Sequence, residues 1–386
     1  MKQVDVSSVT GKKWLMIFLM IIVLVIYDSI STQTSIVSRA VAVGIAIDVG
    51  KEEDTIALSA QVILPRNGGQ SQGGNNFAIF SEEGKTISDC IRAMNTSIGA
   101  KASFAHTTVL IVSRALLEAN RIDILRDLMA GNVVSDNVQL VCADESAKDI
   151  LSSAVSINEV SSYHLQRLLQ SGHNHSSVNP TSLKTFFMHY TQIGQGAYMP
   201  VVIRQETDKP QNNSGSSQSD DPVYLLDVSH TLVFHDPQHM LRLEPHMSRG
   251  LSYVQFKLDD GVILYEDDNG QTASARLVRS WCDRKFDYDR NTIVLNVTLV
   301  VRDTHNTQIE GGDIDIELTP EERERIRARV NSEIMECYQA GLEQNIDVFF
   351  LGETSYAALG KKWTEKDNPN YLQTLGLEVN VRLKSE

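Results

Sequence analysis

Apolar residues recur along this chain with different periods, and the period changes from one stretch to the next. Strict alternation governs Ile56, Leu58, Ala60, Val62 and Leu64, which turns one face of a strand Thr55–Pro65 toward a core. With the β-rich run Arg39–Val49 before it and the acidic turn Gly50–Asp54 between, the pattern predicts a hairpin. Beyond the Gly/Gln/Asn-rich loop Gly68–Asn76, Phe77–Phe80 reads as a further short strand. A helical spacing then takes over at Ile87, Ile91, Met94 and Ile98, predicting a helix over Thr86–Ile98. Thr107–Val112 follows as a buried strand, Arg121–Ala130 as an amphipathic helix and Val138–Ala143 as another strand. Helices are expected at Ser146–Ala154, Asn158–Gln170 and Pro180–Thr191, the last with Asn179 as its cap and Pro180 in its first position. Strand–helix–strand alternation implies α/β layers.

The pattern breaks at Glu206–Pro222, which carries no large apolar residue. Such a segment cannot bury enough surface to offset its own ordering, so it reads as a flexible linker. The second half opens with strand candidates at Val223–Phe234, Leu251–Lys257, Ala273–Lys285 and Thr292–Arg302. In the last of these Ile293, Leu295, Val297, Leu299 and Val301 share a face. One long helix follows: Thr319 caps it, Pro320 starts it and Glu322 completes a capping box. Its stripe is Ile326, Val330, Ile334, Tyr338 and Leu342. The chain ends in an alternating strand, Leu375–Leu383, which the helix stripe is expected to cover together with Thr292–Arg302. The fold class is α+β or α/β, with consecutive mixed domains at 36–204 and 223–386 joined by the linker 205–222.

A different pattern occupies the start. Trp14, Leu15, Met16, Ile17, Phe18, Leu19, Met20, Ile21, Ile22, Val23, Leu24, Val25, Ile26 and Tyr27 form an uncharged run behind Lys2, Lys12 and Lys13. At 1.5 Å per residue it spans roughly 21 Å, short of a ~30 Å hydrocarbon core. By length it resembles a secretory signal. Ser29-Ile30-Ser31 is a weak processing site, however, and the run has no polar stripe of the kind a buried amphipathic helix shows. Trp14 and Tyr27 stand where interfacial aromatics belong. The reading is an uncleaved anchor within residues 1–35, with the lysines inside and the chain beyond Asp28 outside the cytoplasm.

Charge narrows the function. Lys+Arg is 35 against Asp+Glu 49, a formal net charge of -14, which argues against a nucleic-acid partner. The four cysteines, Cys90, Cys142, Cys282 and Cys337, stand far apart with no zinc spacing. Gly84-Lys85-Thr86 invites a phosphate-loop reading, but Ile79 occupies the position of the required glycine; a turn at Gly84 and a cap at Thr86 explain the same residues. His164, His173 and His175, and again His230, His235, His239 and His246, lack an HExxH or a carboxylate at fixed spacing, and read as solvated. His106, just before a buried strand, reads as packed and hydrogen-bonded rather than catalytic. No GxSxG elbow and no SxxK occurs. No catalytic, cofactor or metal site is predicted.

In order and spacing these segments resemble the Ger(x)C family, the C subunits of spore germinant receptors. The matching pieces begin with Val43-Gly44-Ile45-Ala46-Ile47-Asp48, the strand ending Leu64-Pro65, and Glu83-Gly84-Lys85-Thr86-Ile87. They continue with Phe104-Ala105-His106-Thr107-Thr108-Val109-Leu110-Ile111-Val112 and Ala147-Lys148-Asp149-Ile150-Leu151. In the second half they are Val233-Phe234, Arg249-Gly250-Leu251, the long helix, Asp347-Val348-Phe349-Phe350-Leu351-Gly352, Trp363 and the final strand. Gly84, Lys85, Thr86, His106, Asp347 and Gly352 are motif positions of unassigned role.

The resemblance implies a non-enzymatic, extracytoplasmic subunit at the spore inner membrane, working with an A subunit and a transporter-like B subunit in nutrient-triggered germination. Three positions depart from the family pattern. Tyr27-Asp28-Ser29 stands where a lipobox cysteine is usual, Ser229 or a neighbour replaces a glycine, and Tyr371 stands for a second tryptophan. Two other readings remain open on the residues alone: a membrane-anchored solute-binding or envelope interaction protein unrelated to germination, and a secreted enzyme.

Overall fold

The computed structural model describes residues 14, 16–24, 39–63, 77–153, 160–174, 178–192, 196–207, 223–267, 270–302, 304–309, 312–363 and 370–386. Within the apolar run, residues 16–24 form a helix, α1, whose side chains are exposed. Among the described residues no helix is long and apolar enough to cross a membrane; Leu15 and residues 25–27 of the expected anchor lie outside them, as do Gly68–Asn76 and His175.

Ten strands make the first sheet. They are β1 (Arg39–Val49), β2 (Ile56–Ile63), β3 (Phe77–Gly84), β4 (Lys101–Ser103), β5 (Val109–Ser113), β6 (Gln139–Ala143), β7 (Thr181–Ser182), β8 (Ala197–Thr207), β9 (Val223–Asp236) and β10 (His239–Leu243). Their order is β10-β9-β8-β6-β5-β1-β2-β3, with β4 beside β1 and β7 beside β6. β1, β5, β6 and β8 run parallel to one another in that row, so the chain crosses over between them through helices, as parallel pairs require. Those helices are α2 (Ile87–Ile98), α3 (Arg114–Glu118), α4 (Asp123–Ala130), α5 (Ala147–Ser152), α6 (Ser161–Asn174) and α7 (Leu183–Tyr190).

Both faces of this sheet are covered. Leu110 and Val112 of β5 and Leu140 and Cys142 of β6 pack with α2, α3, α4 and α7. Val109, Ile111, Val141 and Ala143 point the other way, into a second core built with α5 and α6. That is why Val109–Ser113 reads as one unbroken apolar run instead of an alternation. α2 begins as its sequence dictates: Thr86 stands extended and its hydroxyl accepts from the Asp89 amide at 3.2 Å.

A second sheet follows, ordered β11 (Gly261–Glu266), β12 (Thr272–Asp287), β13 (Thr292–Val301) and, past the small hairpin of β14 (Thr304–Ile309) and β15 (Gly312–Glu317), β16 (Gly376–Ser385). β13 and β16 pair in parallel from Thr292↔Gly376 to Val301↔Ser385. The chain between them carries α9 (Pro320–Glu343), α10 (Leu351–Leu359) and α11 (Tyr371–Thr374). The capping box at Thr319 and Glu322 forms in full. Ile326, Val330, Ile334 and Tyr338 are buried and Leu342 partly so, in one core with Ile293, Leu295, Val297, Leu299 and Val301. The expected cover of the sheet by this helix holds.

Three expectations change. Leu251–Lys257 is not a strand: Pro245–Gln255 is a helix, α8, started by Pro245 in its first turn, because Leu251 and Val254 take the three-residue spacing of a buried helix face. Pro180–Thr191 is not one helix either. Thr181 and Ser182 pair with β6, Ser182 caps α7, and Asn179 is buried. Its amide donates to Thr231 Oγ1 at 3.0 Å and to the Ser248 carbonyl at 2.9 Å, while its carbonyl oxygen accepts from Ser252 Oγ at 2.8 Å. Asn179 thus ties α8 to the first sheet instead of capping a helix.

The third change concerns the expected linker, whose residues 208–222 lie outside the described ones. β8 and β9 on either side of it pair antiparallel, from Ala197↔Phe234 to Thr207↔Val223, so the segment joins neighbouring strands of one sheet. Val223–Leu243 therefore belongs with the first sheet. Tyr198 of β8, Val233 of β9 and Leu241 and Leu243 of β10 also pack into the second sheet's core. Alternation alone shows that a strand has an apolar face, and does not show which sheet it joins.

Candidate functional site

The recurring segments of the first half meet at a set of polar joints. Gly44, where β1 carries a bulge, has no Cβ because Ser162 Oγ would lie 1.8 Å from one. Gln61 of β2 is fully buried and locks α5 to α6: its amide donates to the Leu151 carbonyl at 3.2 Å and Ser161 Oγ at 2.9 Å, and its oxygen accepts from the Ser162 amide at 3.2 Å and from that residue's hydroxyl. Thr108 donates through its amide and hydroxyl to the Val43 carbonyl at 2.9 and 3.0 Å. Buried polar groups satisfied in this way fix one arrangement of the layers.

Asp48, at the carboxyl end of β1, faces the start of α5. Its oxygens accept from the Ala147 and Lys148 amides at 2.8 and 2.9 Å. Burial pushes its carboxyl above the usual value, opposed by those two N–H groups and the Ser113 hydroxyl, with the Asp149 charge adding to the rise. Beside it a cleft of about 580 Å³ opens at the carboxyl ends of β1, β5 and β6, the edge at which open α/β sheets receive ligands. Its lining includes small side chains (Ala57, Ser59, Ser81, Ser113) and carries both signs, with Glu83, Asp144 and Glu145 against Lys51 and Lys148. Asp144 is bridged to Arg242 and, at 3.7 Å, to Arg114; Glu145 meets Arg204 at 3.2 Å. Chemically the cleft offers hydrogen bonds and charge pairing, with the Asp48 oxygens already committed to backbone amides.

The second joint is built on Asp347. Its carboxylate accepts from the Leu351 amide at 2.8 Å, the Gly352 amide at 2.7 Å and the Tyr371 hydroxyl at 2.6 Å. It thereby serves the open N–H groups at the start of α10, where the preceding residue, Phe350, gives no side-chain cap. A Cβ on Gly352 would stand 2.7 Å from the Tyr371 hydroxyl, so glycine there and tyrosine at 371 belong together. Nearby, Arg249 pairs with Glu333, whose side chain is 3% exposed, at 2.5 Å, and Arg329 joins at 3.0 Å. Gly250 lets α8 approach the Glu333 carbonyl, which would be 2.2 Å from a Cβ.

Of the motif positions noted in the sequence, the structure brings only Asp347 and Gly352 into contact. Gly84 pairs with Ile56 at the end of β3, and its missing Cβ leaves room for Asp89 and Cys90. Lys85 is exposed, and Thr86 is the helix cap. His106 is exposed in the turn before β5, not packed as expected, because the turn closed by Thr107 N–H to Phe104 O at 3.1 Å points it outward. Among the described residues no group of three or more His, Cys, Asp or Glu is placed to hold a metal ion. Gln61 escaped sequence reading, marked only as a polar interruption of an apolar strand; Asn179 was read as a helix cap and Tyr371 as a stand-in for tryptophan, and neither reading contained the buried hydrogen bonds that they make.

The two mixed α/β layers share a core and are stitched by buried polar joints. The family model described as "Spore germination protein N-terminal domain" matches residues 32–204, and "Spore germination B3/ GerAC like, C-terminal" matches residues 229–386. The chain belongs to the Ger(x)C family. The Bacillus subtilis (strain 168) protein YfkR, named for spore germination, is 22% identical over 215 residues, 54% of this chain and 54% of that protein. The chain thus spans about half the length of this curated relative. The crystal structure of the GerBC protein aligns over 89% of this chain and 96% of its own, with 13% identity and a TM-score of 0.47. The fold rests on the chain's own sheets rather than on that likeness.

Proposed function

We propose that this chain is a non-enzymatic subunit of a spore germinant receptor, tethered to the spore inner membrane by Trp14–Tyr27 with its α/β body extracytoplasmic. It acts there with membrane-embedded A and B subunits in nutrient-triggered germination. The observation that carries this reading is the pair of family matches, collinear over 32–204 and 229–386. Two features support it. The motif positions at Asp48, Asp347 and Gly352 are spent on joints that hold one shape, as a subunit that presents surfaces to partners requires. The exposed apolar side chains of α1, Phe18 at 65% among them, need a cover that lipid provides. Deleting the gene from a sporulating host should abolish germination in response to a nutrient while leaving spore formation intact. Normal germination of the deletion strain with every tested nutrient would refute the receptor role. Membrane fractionation of a chain lacking residues 14–27 tests the tether separately.

A second reading, a membrane-anchored solute-binding or envelope interaction protein, draws on the cleft beside Asp48. Its small lining residues and charges of both signs suit a compact polar solute. Filling the cleft with Ser59→Leu would then abolish solute binding without touching assembly with partners, whereas the receptor reading places the essential contacts in assembly.

A further inference from the structure

One aromatic ring bridges the first sheet and the C-terminal core. Phe350 sits at φ 54° and ψ 42°, a left-handed conformation that a residue with a Cβ keeps only where its surroundings hold it. The hold is visible on both sides. Asp347 fixes the amides of Leu351 and Gly352. Arg284 donates to the Phe349 carbonyl at 2.7 Å, and also to the Val254 carbonyl and Gln255 Oε1 at 3.3 and 2.9 Å. The Phe350 ring then lies on the His189 ring of α7, centroids 4.8 Å apart and planes at 12°, and on Tyr198 of β8 at 5.9 Å. Gly196 makes the space: a Cβ there would lie 3.0 Å from Phe350 Cε1. His189 Nδ1 is buried in this stack without a hydrogen-bond partner.

We propose that Phe350 is a pH-sensitive latch between the two halves, docked on neutral His189 and released when that imidazole takes up a proton. A neutral ring stacks at little cost. A cationic ring in the same place needs hydration that the stack denies it. The groups facing His189 come from several elements: Tyr198 on β8, Arg284 on β12, Phe350 just before α10, Glu353 on α10 and Gln192 just past α7. Burial is the largest influence and holds the imidazole below its ordinary 6.5; Glu353 and Gln192 pull it up, and Arg284 pushes it further down. The docked state therefore binds fewer protons than the open one. Docking is complete above the ordinary imidazole value and is lost as pH falls below it.

The test is hydrogen exchange on the full chain in detergent, corrected for the intrinsic effect of pH. Protection of the Leu351 and Gly352 amides should fall at least about threefold between about pH 8 and about pH 5.5, while Leu295 and Val297 in β13 hold theirs. His189→Phe keeps a stack and removes the proton site, so it should erase the pH dependence, as should His189→Gln. Gly196→Ala should lower protection at every pH by crowding the ring. A direct titration of the His189 imidazole in the unmodified chain needs no variant to fold, and its midpoint should lie below the ordinary value. Constant protection in the unmodified chain, an unshifted midpoint, or the same pH dependence in both His189 variants would overturn the latch.

Discussion

In β5 of the first sheet, neighbouring residues enter different cores: Leu110 and Val112 one, Val109 and Ile111 the other. In β11 of the second sheet, Ile263 and Tyr265 are buried, while Val262 and Leu264 between and beside them are 52% and 54% exposed. The first sheet, at β5, spends every residue on packing. The second, at its β11 edge, spends every other one. A two-sided sheet has no free face to offer a partner except at its strand ends, where the cleft beside Asp48 lies. A one-sided sheet keeps a face open.

The largest expected effect tests the covered side. Ile334→Asp places a carboxylate at a fully buried position of α9, costing on the order of several kcal/mol, comparable with the stability of a whole domain. The same core contains Val233, Leu241 and Leu243 of the first sheet, so the damage should spread across both sheets. Urea unfolding should show one transition moved to much lower denaturant, and the chain should fail to accumulate. A normal midpoint would mean that α9 does not cover the sheet.

Next comes the two-sided sheet itself. Leu110→Ala and Ile111→Ala should each cost about 2–5 kcal/mol, because each empties space in a separate close-packed core. Unequal costs, with one near zero, would mean that one face of β5 is open and that the comparison of the two sheets fails. Proteolysis sharpens the same point. Cutting within 208–222 should leave the two fragments associated through the β8–β9 pairing, and fragments that separate on a sizing column would restore the picture of two independent bodies.

What could be read from the sequence follows from these packing differences. Periods and caps act locally, so the hairpin at Arg39–Val49, the cap at Thr86 and the capping box at Thr319 were legible. The stripe on α9 was legible because the sheet it covers alternates. The membership of Val223–Leu243 was not, since antiparallel strands look alike whichever sheet they join. Nor was Asn179, whose place before Pro180 has the look of a cap and whose three partners lie at Thr231, Ser248 and Ser252. The motif Asp347–Gly352 was visible as a pattern, but its meaning depended on Tyr371, twenty-four positions away.

That hydrogen bond supplies a smaller effect. Tyr371→Phe removes one of three donors to a buried carboxylate and should cost about 1–3 kcal/mol. Tyr371→Trp should cost more, because Gly352 leaves no further room beside the ring. Thermal melting of the two variants against the parent chain checks the order, and a Tyr371→Phe melt equal to the parent's would remove Asp347 as the organiser of this turn. The caps rank below: Thr86→Ala and Thr319→Ala should each cost about 1 kcal/mol, since each loses a hydroxyl that accepts from a first-turn amide, while the Thr319 N–H keeps its bond to Glu322 Oε2.

The smallest effect is the most telling for the comparison. Leu264→Ala alters the same kind of residue as Leu110→Ala, in a strand of the same protein, yet it should change stability by no more than about 0.5 kcal/mol. Leu264 stands 54% exposed, so truncation removes apolar surface that water already covers and leaves no cavity behind. Its neighbour Ile263 is 2% exposed, and Ile263→Ala should cost about 2–5 kcal/mol. One residue along a strand thus separates a core position from an idle one. If Leu264→Ala is neutral in the isolated chain but lowers its accumulation in spores, the open face is being covered there by something other than this chain. If it destabilises the isolated chain as much as Ile263→Ala does, the second sheet is two-sided like the first.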